Sequence, residues 1–385
     1  MKSSIVQKIY TILFSAIIIC FGVYLTIDCF FISKNCLPEF GISKFLYGEY
    51  QKDVSECLNK NMYIYKPMKA IKTHFDMLTG KSFANGVYIK DSSLTKIPQF
   101  PNVSNLESVA EKINKFNDRT NQPIYSLTIT TKTQIDNDQF VSYIFKGDES
   151  SLISEYNNLL KNDISKLDAI TPLTYIKNMD VYYKTDSRLT GLGSFLIYNY
   201  NMKQFGVSPF SMRQFNIEHA VNNFYGELYN KILYSNVDSD TIDLFHYNGY
   251  VVNGNVDSIY SDRNVSHRTT IYDLSRKFYS DKINIVFGES APIKNVTTNS
   301  KSKNSILIFA DRNIDSLIQF FAIHYVNITV VNLAECSDLG DSLKNSIEKI
   351  NSTPYDQVLF AYGIESLTNT DQFDFLKKFN LCSAK

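Results

Sequence analysis

The last third of the chain alternates apolar strand-like runs with helical periods, a pattern that few folds can accommodate. Ser305 to Phe309 reads as a buried strand, Ile314 to Tyr325 as a helix, Ile328 to Leu333 as a strand, Ser342 to Ile350 as a helix and Gln357 to Tyr362 as a strand. Strands joined in succession by helices pair in parallel through right-handed crossovers, which predicts an α/β architecture with a mostly parallel sheet. The chemistry of such sheets lies outside the carboxyl ends of the strands. Two loops are thereby singled out, Thr185 to Leu189 and Ala310 to Asn313.

The upstream sequence supplies further units of the same kind. Met68 to Leu78 follow Pro67 as a helix that stops at Gly80, and Asn85 to Ile89 is strand-like. Ser104-x-x-Glu107 is placed as a capping box opening a helix toward Phe116, and Ile124 to Thr130 alternates as a strand does. Glu149 to Asn162 reads as a helix and Val181 to Tyr183 as a strand entering a polar turn, while Thr190 to Phe205 is helical and closes at Gly206. Residues from about 239 to 290 are rich in Tyr, Val, Thr and Asn and are expected to form a β-rich insertion.

The stretch Ile9 to Ile27 carries no charged side chain and is long enough to cross a hydrocarbon core. Lys2 and Lys8 precede it and Asp28 follows, so the lysine bias keeps the N-terminus inside. The expectation is a cytoplasmic tail over 1–8, a single transmembrane anchor over 9–29, and an extracytoplasmic domain over 30–385 at the cell membrane. A cleavable signal peptide is the rival reading, but no Ala-x-Ala-like site follows the run.

The remainder, with 44% apolar residues over the whole chain, is long enough to bury a substantial core. The net charge is +0, which gives no argument for a nucleic-acid partner. Cys36 and Cys57 are close enough in sequence to bridge, as are Cys336 and Cys382, but free buried thiols are the expected state. No Cys-x-x-Cys pair suggests a metal, and no cofactor motif is present.

At the two singled-out loops the chain resembles a known family. Tyr182 to Phe195, YYKTDSRLTGLGSF, is similar to the signature of the bacterial DHHW family, a circularly permuted branch of the SGNH hydrolases related to proteins of alginate-type polysaccharide O-acetylation. Gly48-Glu-Tyr50, Asn85-Gly-Val-Tyr88, Phe224-Tyr-Gly-Glu-Leu-Tyr229 and Ile306 to Leu333 agree with further family blocks in the same order. The resemblance implies an SGNH-like three-layer fold. It also implies a triad in which the Asp and second His of Asp-His-His-Trp are acid and base and a Lys-Asp-Ser loop carries the nucleophile. Here those positions read Asp186, Ser187, Arg188 and Leu189, and Ala310, Asp311 and Arg312. A third block, Gly-Gly-Asn-His-Pro in relatives, reads Gly288, Glu289, Ser290, Ala291 and Pro292.

Acyl transfer needs a hydroxyl whose proton an imidazole removes, and a guanidinium supplies neither the oxygen nor the base. Asp186 remains without a histidine to orient. Ser316, one turn beyond Arg312, and His267 are the residues from which a triad could be rebuilt; His324 falls roughly 15 Å along the expected helix from its start. Asp186, Arg188, Asp311, Arg312 and Ser290 are therefore ligand-binding candidates in a degenerate site, with Asp186 and Asp311 expected to pair with the two arginines.

Three readings follow. The first is a non-catalytic binding or accessory component of cell-surface polysaccharide O-acetylation, for which the resemblance implies a membrane-bound O-acyltransferase partner. The second is an O-acetyltransferase or esterase with an unrecognised catalytic set. The third is a structural envelope protein.

Overall fold

The computed structural model describes residues 2–36, 40–46, 48, 50, 51, 53, 54, 65–135, 148–176, 179–249, 252, 254–260, 265–336 and 340–382. The chain divides into two compact units, Met1–Ala84 with Ile232–Ser235, and Asn85–Lys231 with Asn236–Lys385. In the first unit helix α1 runs Lys2–Cys36 and helix α2 runs Tyr65–Leu78. The charge-free run lies within α1, yet among the described residues no helix is long and apolar enough to cross a membrane. Glu49 and Cys57 lie outside the described residues, as does the side chain of Cys36. Cys336 and Cys382 are both free thiols and do not bridge.

The second unit carries strands β1 (Val87–Lys90), β2 (Ser93–Lys96), β3 (Ile124–Ile129), β4 (Ser165–Leu167), β5 (Phe215–Phe224), β6 (Asp240–Tyr247), β7 (Gly254–Ile259), β8 (Ser266–Arg268), β9 (Ile293–Thr298), β10 (Ser305–Ala310), β11 (Asn327–Val331) and β12 (Gln357–Gly363). Its longer helices are α3 (Val103–Asn117), α4 (Glu149–Leu159), α5 (Gly191–Asn201) and α6 (Asp341–Ser352). An eight-stranded sheet has the order β4-β3-β12-β10-β11-β9-β7-β8. Its first five strands pair in parallel, and β9, β7 and β8 add on antiparallel. The β-rich stretch near 239–290 divides between two sheets, because β6 pairs with β5 in a separate ribbon while β7 and β8 extend the main sheet through β9.

Alternation within the strands feeds two cores. Leu307 and Phe309 of β10 join one face with Leu106, Ile113 and Phe116 of α3 and Ile347 of α6. Ile306, Ile308 and Ala310 face the other way, against Phe195 and Tyr198 of α5 and Phe320. Side chains on a strand point to alternate faces, so a strand covered on both sides is apolar on both, as β10 is from Ile306 to Ala310.

Three local expectations shift. Helix α3 starts earlier than Ser104, because the extended Asn102 caps it through a reciprocal box with Asn105, the two side chains each accepting the other's backbone N–H at 2.8 and 3.1 Å. Val181 to Tyr183 forms only a single bridge, Tyr182 with Leu189. The helix expected over Ile314 to Tyr325 breaks into a 3-10 turn, Arg312–Ile314, and a four-residue α-helix, Ile318–Phe321. Every residue from Ser316 to Tyr325 is buried, and Gln319 donates its side-chain amide to the Ser316 carbonyl at 2.7 Å, so packing on all sides and a competing donor override helical periodicity.

Phe309 is fully buried and contacts the rings of Phe116, Phe360 and Phe379 at 5.0 to 5.4 Å. Phe309→Ala is expected to lower unfolding stability by about 3–5 kcal/mol in denaturant titration, since it leaves a cavity where three rings converge.

Candidate functional site

The Thr185 to Leu189 loop is held from three directions. Asp240, at the start of β6, accepts backbone N–H groups from Lys184 at 2.7 Å and Thr185 at 2.8 Å and the Thr185 hydroxyl at 2.5 Å. The Thr185 carbonyl accepts from Leu228 and Tyr229 at 3.1 and 3.2 Å, and Leu94 donates to the Lys184 carbonyl at 2.7 Å. The Phe224–Tyr229 block therefore lies against this loop. Gly226 is required sterically: a Cβ there would lie 2.5 Å from Asp186 Cβ and 2.8 Å from the Thr185 carbonyl.

Asp186 is fully buried, and its carboxylate takes Arg188 Nε and Nη2, each at 2.8 Å, with the Arg188 and Glu227 backbone N–H groups at 3.1 and 3.0 Å. Burial pushes the Asp186 carboxyl upward, but the Arg188 fork and its charge outweigh this and hold it below the usual carboxylate range. Burial also disfavours the Arg188 charge, and the same carboxylate, with Asp315 and Glu227, holds its pKa above the usual guanidinium value. The pair is a closed bidentate contact.

Arg312 takes different partners from those expected. Its Nε donates to Asp315 at 3.2 Å and its Nη2 to the Asn284 side chain. Asp311 instead caps the Arg312–Ile314 turn and accepts from Asn313 N, Gly363 N and Ser366 Oγ at 2.8, 2.8 and 2.5 Å. A carboxylate so occupied at the end of β10 binds β12 to it and has no lone pair left aimed at Arg312. Arg188 and Arg312 nonetheless line one cavity, with Tyr183, Asp315 and Ser316, of only about 10 Å³. That is room for about one water molecule.

Ser290 does not join them, because its hydroxyl donates to Glu335 beyond β11 and accepts from Asn332 at 3.5 Å. Ser316 reaches the cavity and shares a hydrogen bond with Ser194, without an imidazole beside it. His267 is exposed on β8 and pairs with Asp257 at 2.7 Å, His219 pairs with Asp243 at 2.7 Å and His246 with Glu218 at 2.9 Å. His324 is buried, bonded to Tyr198 Oη at 2.8 Å and stacked on Phe210. None of these four rings lines the small cavity.

The fold resembles that of a DHHW family protein. The solved protein of that family from Eubacterium siraeum matches with a TM-score of 0.60 at 17% identity, covering 78% of this chain and 98% of its own. PatB1 of Bacillus cereus, in a structure with a sulfonyl adduct, matches with a TM-score of 0.62 at 16% identity over 75% of this chain and 98% of its own. These likenesses are of fold, a mixed α/β architecture on a large, mostly parallel sheet. No family model and no curated protein matches the sequence.

Beside the plugged cavity, sharing Asn313 with it, lies a cleft of about 350 Å³. It opens at the carboxyl ends of β3, β10 and β12, where the sheet order reverses around β10. Thr95, Thr130, Thr131, Ser187 and Ser366 give it a hydroxyl-rich wall, and Lys96 and Glu365, paired at 3.0 Å, stand at one side. The buried Glu149 fixes that wall by accepting both hydroxyls and one N–H from Thr130 and Thr131, each at 2.7 Å. Lys132 touches Ser93 Oγ at 2.7 Å, a Ser–Lys contact that sequence reading missed because the residues are far apart in the chain. Lys132 also donates to the carbonyls of Leu94 and Tyr183 at 2.9 and 3.1 Å.

Two outcomes follow from this geometry. Asp186→Ala strands a buried guanidinium and is expected to cost about 3–5 kcal/mol in thermal or chemical unfolding, whereas Asp186→Leu combined with Arg188→Met is expected to recover most of that loss. Burial lowers the His324 pKa from 6.5 to about 4. Between those values the unfolded chain binds the extra proton, so stability falls as pH drops from 6.5 toward 4, by up to about 3 kcal/mol. Chemical denaturation across that window should show the slope, and His324→Gln should flatten it.

Proposed function

We propose that this chain is a membrane-anchored, extracytoplasmic SGNH-like pseudoenzyme that binds a cell-surface polysaccharide and serves as an accessory to its O-acetylation. The observation that carries the reading is the buried Asp186–Arg188 fork, which occupies the position of an acid and base with a pair that can neither accept nor release a proton near neutral pH. Arg312, held by Asp315 and Asn284, fills the nucleophile position in the same way. The anchor rests on the charge-free run Ile9 to Ile27, and the acyltransferase partner rests on family resemblance alone.

The cavity of about 10 Å³ between the two arginines admits no carboxylate or phosphate. The neighbouring cleft of about 350 Å³ falls at the lower end of the roughly 300–1,000 Å³ typical of ligand sites, and hydroxyl and amide groups suit the alternating donors and acceptors of a sugar. We therefore place a largely neutral stretch of polysaccharide there.

Acetyl-ester hydrolysis by the purified full chain is expected to be no faster than that of its Asp186→Asn variant, and glycan-array binding is expected to weaken at least several-fold in Gln99→Ala, which trims the cleft. Hydrolysis clearly above the Asp186→Asn control and abolished by Ser316→Ala would establish instead an active esterase with an unrecognised catalytic set.

A further inference from the structure

Helix α2 is amphipathic with its polarity turned outward. Its inward positions hold the buried Thr73 and Asp76 and the half-buried Lys69 and His74, the last bonded to Ser235 at 2.8 Å and packed on the Tyr234 ring. Met68, Ile71, Phe75 and Leu78 are 50, 70, 64 and 86% exposed. Their spacing of three, four and three residues puts all four on one face of the helix. Four large side chains in a continuous stripe are more than the scattered apolar residues that every surface carries.

The flanking charge is one-sided. Lys66, Lys72 and Lys81 stand on or beside this helix against a single carboxylate, Asp76, which Lys72 and Lys81 already contact at 3.5 and 2.6 Å. An exposed apolar stripe edged by lysines has the chemistry of a helix lying in the interface of an anionic bilayer, where the stripe enters the acyl boundary and the ammonium groups meet phosphates. Chain geometry points the same way. Only residues 37–64 separate α1 from α2 in the chain, so a helix this close in sequence to an anchored α1 stays within reach of the same bilayer.

We infer that α2 docks through Met68, Ile71, Phe75 and Leu78 onto the anionic lipid surface into which α1 inserts, a placement that rests on the anchor reading above. The four apolar residues supply the contact and the lysines supply a salt-sensitive share of it.

The test uses the full-length chain in vesicles of phosphatidylcholine with about one-third phosphatidylglycerol, carrying a lipid with a photoactivatable group on its acyl chain, followed by peptide mapping of the label. Label is expected on both the Ile9 to Ile27 run and the Met68 to Leu78 segment. Ile71→Asn with Phe75→Asn should reduce the α2 label about tenfold and leave the α1 label unchanged; both residues are exposed, so folding is spared. Added salt or pure phosphatidylcholine should reduce the α2 label alone. Label confined to α1 would overturn the docking while sparing the anchor, and no label on either would overturn both. An unlabelled α2 that cross-links between copies in the vesicles would replace the lipid by a second copy of the chain and likewise overturn the inference.

Discussion

The buried fork between Asp186 and Arg188 is the contact on which the interpretation of the whole molecule turns. A carboxylate with no solvent exposure survives only if its lone pairs are used, and here two guanidinium N–H groups and two backbone N–H groups use them. The arginine in turn is held by its neighbour two residues back, so the contact is as local as a turn and as dry as a core. Its loop is kept in place by Asp240, by the Leu228 and Tyr229 amides, and by a glycine at 226 that lets the chains approach. Proton transfer needs a group whose two protonation states lie close in free energy, and this pair is stabilised in one state only.

A second carboxylate shows how environment redirects a residue type. Asp311 stands where the resemblance implies a catalytic loop, yet its oxygens are taken up by the ends of β10 and β12 and by Ser366. Burial pushes its pKa up, opposed by those hydrogen bonds, and the result is a clamp across the point where the sheet order reverses. The same crevice that positions a reaction centre in an α/β sheet is left as a rigid rim for the hydroxyl-lined cleft beside it. The architecture at this crevice rests on hydrogen bonds from the backbone and from Ser366 and does not depend on Arg188 or Arg312.

The polar wall of that cleft and the apolar face of α2 express one rule in opposite directions. Groups are stable where their bonding capacity is met: Glu149 inside, surrounded by donors, and Phe75 outside, when the surroundings are apolar as well. Water satisfies the first kind of group and penalises the second. An outward stripe of large apolar side chains is thus a statement about the medium the helix meets.

The sequence by itself determined the layered α/β class, the parallel pairing of the last three strands, and the helical stretch that opens at Thr190 and, through the 3-10 turn after α5, stops at Gly206, because periodicity and capping are local. It also showed arginines at 188 and 312, where the resemblance implies a base and a nucleophile, since side-chain chemistry is legible without coordinates. The partners of those arginines were not legible: pairing Asp311 with Arg312 failed because adjacency in sequence does not fix where a carboxylate points. The helix after β10 was shortened by burial on all sides, and the β-rich stretch was split between two sheets by strand pairings remote in sequence. Asn284 and Asp315 at Arg312, Lys132 beside Ser93, and the cleft walled by Thr130 and Thr131 all depend on contacts across the fold, and only the tertiary structure decides which distant groups fall within hydrogen-bonding reach.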